Sequence, residues 1–311
     1  MAFTGTSALA DQVIAAYDRS AYFALRAGSV FDQFTTVKPG NVTSPGSSVS
    51  FLFYGELTAT TTALSETVDI DPVALSDSLI TVTPVEYGNA VLTTLRVRTN
   101  SFAVGFDSNV ANLVAWNMVD SLETVCREAY EIVGETTWVD GLSTDGSVSS
   151  TNPIQMNDIR ANIADLRGDN VMPYSGNAFV VLMHPDIEYD LMAETTQNAW
   201  GPFVSTNPVG AESWYAGEVG RAAGAIFVTS PRALVNTDAG TASVDVYTTY
   251  ILGQQAVAKA ESIPPHIVRG PVMDYLNRFV PLGWYAYLGY AEFRDASMNR
   301  LHSASSIGAN A

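Results

Sequence analysis

NVANLVAWNMVDSLETVCREAYEIV, residues 109–133, decides how the rest of the chain is read. Ala111, Ala115, Met118, Leu122, Val125, Ala129 and Ile132 recur at alternating steps of four and three, which places them on one face of an α-helix. Asp107 or Ser108 suits its start as a cap, and Gly134 its end. At 1.5 Å per residue the segment makes a rod of roughly 37 Å, long for a globular helix and suited to carrying other elements. Cys126 lies inside it among apolar neighbours and reads as a small buried hydrophobe rather than a nucleophile.

Upstream, Ser7 to Ala27 reads as a first helix with Ser7 as cap and Gly28 as stop, either an ordinary core helix or an arm lying on a neighbour. PGNVTSPGSS (39–48) is a connector. Ser48–Tyr54 alternates, with Val49, Phe51 and Phe53 on one face, as a strand does. Two more strands are expected at Leu79–Tyr87 and Ala90–Thr99, joined by a Gly88-Asn89 turn. Between the strands lies ELTATTTALSETVDIDPVALSDS (56–78), with Glu56, Glu66, Asp69, Asp71 and Asp77 but no aromatic residue, glycine or base. It cannot bury enough apolar surface to order itself. It is either a flexible surface loop or a β-tongue ordered against a partner, with Arg96 and Arg98 of its stalk as complements to the acids.

Downstream, DGLSTDGSVSSTNP (140–153) reads as a linker dividing the chain. A helix at Ile154–Leu166, a strand at Asn177–Met183, a helix at Pro185–Ala193 and strands at Ala225–Thr229 and Ser243–Leu252 follow. Ile267–Ser303 is rich in aromatics and alternates irregularly, as strands returning toward the long helix would. The pattern is α+β, with no regular βαβ repeat.

Composition narrows the function. The 311 residues carry a formal net charge of −17, and the only lysines are Lys38 and Lys259. Holding DNA by its phosphates needs clustered Lys and Arg, and there is no such cluster. Charged residues make up 15% of the chain where about 25% is usual, the difference being made up by neutral polar residues. Such a surface fits either a protein that faces other protein or a Thr-rich secreted domain. A single cysteine excludes an internal disulfide and a cysteine zinc cluster. No signal-peptide pattern opens the sequence, and no apolar run approaches the roughly 20 residues of a membrane span.

Three stretches invite chemistry. In GEVGRAAGAIFVTS (217–230) the glycines Gly217, Gly220 and Gly224 precede a strand, whereas a phosphate loop follows one and opens a helix. A backbone corner entering a strand is the better account. HPDIEYD (184–190) gathers His184, Asp186, Glu188 and Asp190, yet Pro185 opening a helix with acids in its first turn explains it. Asp69 and Asp71 in DIDP lack the remaining ligands of a calcium loop. No catalytic, metal or cofactor site is expected.

The order of elements, and the wording of TALSETVDIDPVALSDSLITVTPVEYGNAV (62–91), YAGEVGRAAGAIFVTS (215–230), ILGQQAVA (251–258), LGWYAYLGYAEF (282–293) and NRLHSAS (299–305), resemble the major capsid proteins of tailed bacteriophages, those of actinobacterial siphophages in particular. The resemblance implies the Hong Kong 97-type α+β fold. It assigns residues 1–41 to an N-terminal arm, 42–99 to an extended β loop, 100–169 to a peripheral domain with spine helix 109–133, 170–261 to an axial domain and 262–311 to peripheral strands and C-terminus. It implies a structural protein, not an enzyme, that assembles into hexamers and pentamers of an icosahedral head, enclosing double-stranded DNA without binding it specifically. Glu66, Asp69, Asp71, Asp77, Arg96 and Arg98 become expected inter-subunit contacts. A portal protein is an implied partner and a decoration protein an optional one, with assembly in the host cytoplasm, residence in the virion and no membrane.

Two departures from the family pattern bear on this. Some members crosslink a loop lysine to a neighbour's asparagine, but residues 42–99 contain no lysine, so that chemistry is excluded for the loop. Some carry a helical N-terminal extension as a built-in scaffold; here the arm begins almost at Met1, so a separate scaffolding protein is expected. An acidic cell-surface or adhesin-type domain is the alternative, and a hydrolase built on His184 a third reading.

Overall fold

A computed structural model describes residues 28–38, 48–55, 57–61, 63–64, 66–67, 69–100, 106–194, 218–271, 274–276 and 278–307. In chain order these residues form β1 (Thr36–Lys38), β2 (Val49–Tyr54), β3 (Asp77–Val82), β4 (Val85–Thr94), α1 (Leu95–Asn100), α2 (Phe106–Tyr130), β5 (Glu135–Trp138) and α3 (Met156–Gly168). There follow β6 (Phe179–Met183), α4 (Pro185–Ala193), β7 (Glu218–Ala222), β8 (Ala225–Thr229), β9 (Val235–Asn236), β10 (Val246–Leu252), β11 (Val257–Arg269), β12 (Phe279–Glu292) and β13 (Met298–Ser303). The described residues divide into two compact units, a larger one within 28–87, 119–265 and 286–307 and a smaller one within 88–118 and 266–285.

A mixed sheet ordered β5-β13-β10-β6-β8-β7, with β9 beside β10, is the centre of the larger unit. Strand alternation sends its side chains into two separate cores. Phe179, Val181 and Met183 of β6 and Phe227 of β8 meet Met156, Ile159, Ile163 and Leu166 of α3 and Ile187 and Leu191 of α4 on one face. On the other, Val180, Leu182, Ile226 and Val228 meet Cys126, Ala129 and Tyr130 of α2, together with Phe31 and Phe34. Strands buried on both faces read as continuous apolar runs, which is why FVVLM and AIFV stand out in the sequence.

In the smaller unit the hydroxyl of Thr93 donates to the carbonyl of Val280 at 3.1 Å, and the amide of Leu95 donates to that of Arg278 at 2.8 Å. Trp284 Nε1 donates to Asn117 Oδ1 at 2.9 Å, tying β12 to α2.

Several expectations are met. The helix Pro185–Ala193 and the strand Ala225–Thr229 have the predicted bounds. The long helix exists as Phe106–Tyr130, shifted three residues toward the N-terminus, and Cys126 is fully buried. The first expected helix, residues 7–27, lies outside the described residues.

Others are corrected. The core-facing stripe of α2 runs through Glu123, Cys126 and Tyr130, about 100° round the helix from the predicted one, while Ile132 lies beyond the helix end, 69% exposed. A glutamate in the middle of the true stripe hid it. Gly88-Asn89 is not a hairpin turn: β4 runs straight through it, and a Cβ at Gly88 would stand 2.8 Å from the carbonyl oxygen of Trp284. The glycine serves close backbone approach. Leu95–Asn100 is helix α1, not strand, so Arg96 and Arg98 are on a helix. Residues 140–153 are no linker: Val148 is fully buried and Asp145 Oδ1 accepts the Trp138 indole N–H at 2.7 Å, with His302 Nδ1 2.6 Å away. The strand β11, which contains Pro264-Pro265, is not among the expected elements. Among the described residues β1 pairs with β11 at Ala258–Ala260, short of those prolines, and no described strand pairs with that side of β11 at Pro264-Pro265.

Candidate inter-subunit surface

Many of the exposed apolar side chains lie on the β2–β3 ribbon and its extension. The two strands pair antiparallel from Val49↔Val82 to Tyr54↔Asp77. One face of the ribbon is anchored: Phe51 and Val82 pack with Ala258, Ala260 and Phe293, and the Phe51 and Phe293 rings meet edge-on with centroids 5.3 Å apart. The opposite face, Leu52, Tyr54 and Leu79, is exposed. Past the Gly55 amide, which donates to the Ser76 carbonyl at 2.8 Å, the described residues of 57–75 form neither helix nor strand. Leu64, Val73 and Leu75 are 73–75% exposed there. Scattered exposed leucines are ordinary, but a run of them on one projection marks an interaction surface.

Glu66, Asp69, Asp71 and Asp77 are all exposed on this tongue. None has an ion-pair partner among the described residues; Asp69 Oδ1 accepts the amide of Ile70 at 2.9 Å. Arg96 is exposed on α1 and lines an open pocket of about 520 Å³ with Thr94, Leu95, Thr99, Arg278 and Phe279. Arg278 pairs with Asp274 at 2.5 Å and lies over the Phe279 ring, 5.3 Å from its centroid. Sequence reasoning missed Arg278 and Phe279, since nothing local links them to residues 94–99.

Of the three glycines, Gly217 lies outside the described residues. Gly220 stands at an irregularity in the β7–β8 ladder, and Gly224 with Ala223 makes the two-residue turn between those strands, both at positive φ (82° and 52°).

The 184–190 cluster is engaged in holding the fold. His184 caps α4, its Nδ1 accepting the Asp186 amide at 3.2 Å. Asp186 Oδ2 accepts the Tyr247 hydroxyl at 2.9 Å, and Asp190 Oδ2 accepts the amide of Ser306 at 2.9 Å. Among the described residues no group of three or more His, Cys, Asp or Glu is placed to hold a metal.

Burial lowers the His184 pKa by more than Asp186 raises it, consistent with a neutral ring accepting at Nδ1. A folded-state pKa below the unfolded value of about 6.5 gives stability that is present above that pH and lost as pH falls through it. Asn caps equally well but does not titrate. His184→Asn is therefore expected to lose less stability than the parent between pH 7.5 and 5.5 in denaturant melts. Parallel losses in the two proteins would refute the cap's role.

The phage capsid protein family matches residues 133–307, more than half of the chain. Among solved structures, the capsid asymmetric unit of cyanophage Pam1 superposes with a TM-score of 0.75 at 13% identity, covering 96% of this chain and 98% of that one. The capsid of Ralstonia phage GP4 gives 0.73 at 13% identity over 96% and 97%, and a Mycobacterium phage Che8 structure 0.63 at 14% over 93% and 97%. No curated protein sequence matches. At these identities the likeness concerns the fold, which is the α+β Hong Kong 97-type capsid fold. The chain belongs to the phage capsid protein family. The family is thus the phage capsid one that the resemblance implied, and with it goes a structural role in the capsid rather than an enzymatic one.

Proposed function

We propose that this protein is the shell subunit of an icosahedral phage head, assembling as rings of six and five around double-stranded DNA that it does not bind specifically. The observation carrying the proposal is the β2–β3 tongue, which carries exposed apolar and acidic side chains that no core cluster of the described residues covers. A net charge of −17 suits the wall of a DNA container, because a lysine-rich wall would trap its contents. On this reading residues 1–41 are the arm, 42–99 the loop, 100–169 and 262–311 the peripheral domain and 170–261 the axial domain. The acids Glu66, Asp69, Asp71 and Asp77 meet arginines of a neighbour, with Arg96 and Arg98 among them. A separate scaffolding protein directs assembly in the host cytoplasm, and a portal protein completes the head.

Negative-stain electron microscopy of the purified protein, with and without the scaffolding protein, tests this. Closed particles, or rings of five and six, are expected with the scaffold. A monodisperse monomer under both conditions overturns the proposal, and uniform closed shells from this chain alone overturn the need for a scaffold.

A further inference from the structure

We infer that the pocket between α1 and the start of β12, inside the smaller unit, binds a small amphipathic anion: a molecule with one carboxylate-type head and an apolar body. Among the described residues it is lined by Thr94, Leu95, Arg96, Thr99, Arg278 and Phe279 and encloses about 520 Å³. That volume falls in the range of small-molecule sites, about 300–1,000 Å³.

The lining sorts into an apolar wall and a set of hydrogen-bond donors. Leu95 and Phe279 make the wall, and Leu95 is 52% exposed, so a ligand body laid against it removes apolar surface from water. Arg96 is exposed and has no ion-pair partner among the described residues. Arg278 holds Asp274 through Nε, which leaves its terminal N–H groups for a second acceptor. The Thr94 hydroxyl accepts the Val97 amide at 3.3 Å and keeps its own proton, while the Thr99 hydroxyl donates to the Leu95 carbonyl at 2.8 Å. A head matching this set brings acceptors and no donors, as a carboxylate does. Two arginines against Asp274 leave one positive charge, which fits a singly charged head. A neutral amphiphile fits worse, because it covers the guanidinium groups without pairing them.

The wider charge distribution points the same way. Residues 88–118 and 266–285 hold Arg96, Arg98, Arg269 and Arg278 against Asp107 and Asp274, a net positive stretch in a chain of net charge −17. Anions are repelled by most of this protein and collect where the sign reverses. The site belongs to a single subunit, so the inference stands or falls independently of how subunits assemble.

The test is calorimetric titration of the unassembled full-length chain with decanoate, kept below its micelle concentration. Saturable binding of one decanoate per subunit is expected. Arg96→Gln and Arg278→Gln should each weaken it by about tenfold or more, the scale of one lost charge-assisted hydrogen bond. Arg96→Lys should recover part of the loss, and acetate, which has the head without the body, should bind at least about tenfold more weakly. Both arginines are exposed, so the glutamine variants should melt within about 2 °C of the parent. If Arg278→Gln melts lower because its brace to Asp274 is cut, Arg96→Gln alone carries the test. No saturable uptake of decanoate, uptake that Arg96→Gln leaves unchanged, or acetate binding as tightly as decanoate overturns the site.

Discussion

Removing residues 57–75 and closing the ribbon with a short Gly-Ser turn is expected to abolish shells while leaving a folded subunit. The cut spares Gly55 and Ser76, whose backbone hydrogen bond ends the ribbon, and Asp77, which pairs with Tyr54. None of the described residues in the cut belongs to a core cluster; the ribbon's anchor is Phe51, Val82 and their partners in the body. Melting temperature should therefore stay within about 2 °C of the parent, since surface segments without core contacts contribute little. Assembly is different. Leu57, Leu64, Ile70, Val73 and Leu75 are all exposed in the isolated subunit, and covering each is worth about 1.5–3 kcal/mol. Five such side chains represent roughly 7–15 kcal/mol per subunit before the cost of ordering the segment. Even half of that, lost at every subunit of a closed shell, raises the concentration needed for assembly by orders of magnitude. Sedimentation of cell extracts with scaffold present would show the parent in a fast peak and the deletion in a slow one. Fast particles from the deletion would mean that the tongue is dispensable and that the shell is held elsewhere.

The tongue could be recognised from sequence because its signal is compositional and local: five acids, no base and no aromatic residue between two alternating strands. The pocket could not, because Arg96 and Arg278 are brought together only by the pairing of β4 with β12. The same division runs through the fold. Buried strands such as Phe179–Met183 and the capped helix Pro185–Ala193 carry their own short-range signals, an unbroken apolar run in one and Pro at the first turn in the other. By contrast, Gly88-Asn89 has the composition of a hairpin turn but answers to a carbonyl on a distant strand. Pro264-Pro265 argues against a strand, yet among the described residues that stretch of β11 has no partner on the side of β1. Each failure occurs where a non-local contact overrides a sound local rule. The spine helix fails in the most informative way, since its true face is marked by the residue least expected in a core.

That residue, Glu123, predicts the largest stability effect in the subunit. It is fully buried, and its Oε1 accepts the amides of Val30 at 2.7 Å and Phe31 at 3.0 Å, while the Ser29 hydroxyl donates to Oε2. The segment it holds is itself buried: the Phe31 ring lies against Tyr130 and Tyr250, with centroids 5.6 and 5.5 Å away. The side chain thus does for residues 29–31 what a neighbouring strand would otherwise do, supplying acceptors to amides that turn inward. Glu123→Ala leaves two buried amides without partners, at about 1–3 kcal/mol each, and opens a cavity besides. A loss of roughly 4 kcal/mol should lower the melting temperature by on the order of 10 °C, given about 2–4 °C per kcal/mol in large domains. Glu123→Gln is the informative control, because its carbonyl oxygen still serves both amides and the Ser29 hydroxyl can reverse to accept from the new NH₂ group. It should recover most of the loss in thermal melts of the unassembled subunit. If the alanine variant melted within about 1 °C of the parent, the carboxyl would not be what seats residues 29–31 on α2. If glutamine were as damaging as alanine, charge rather than hydrogen-bond acceptance would be the operative property.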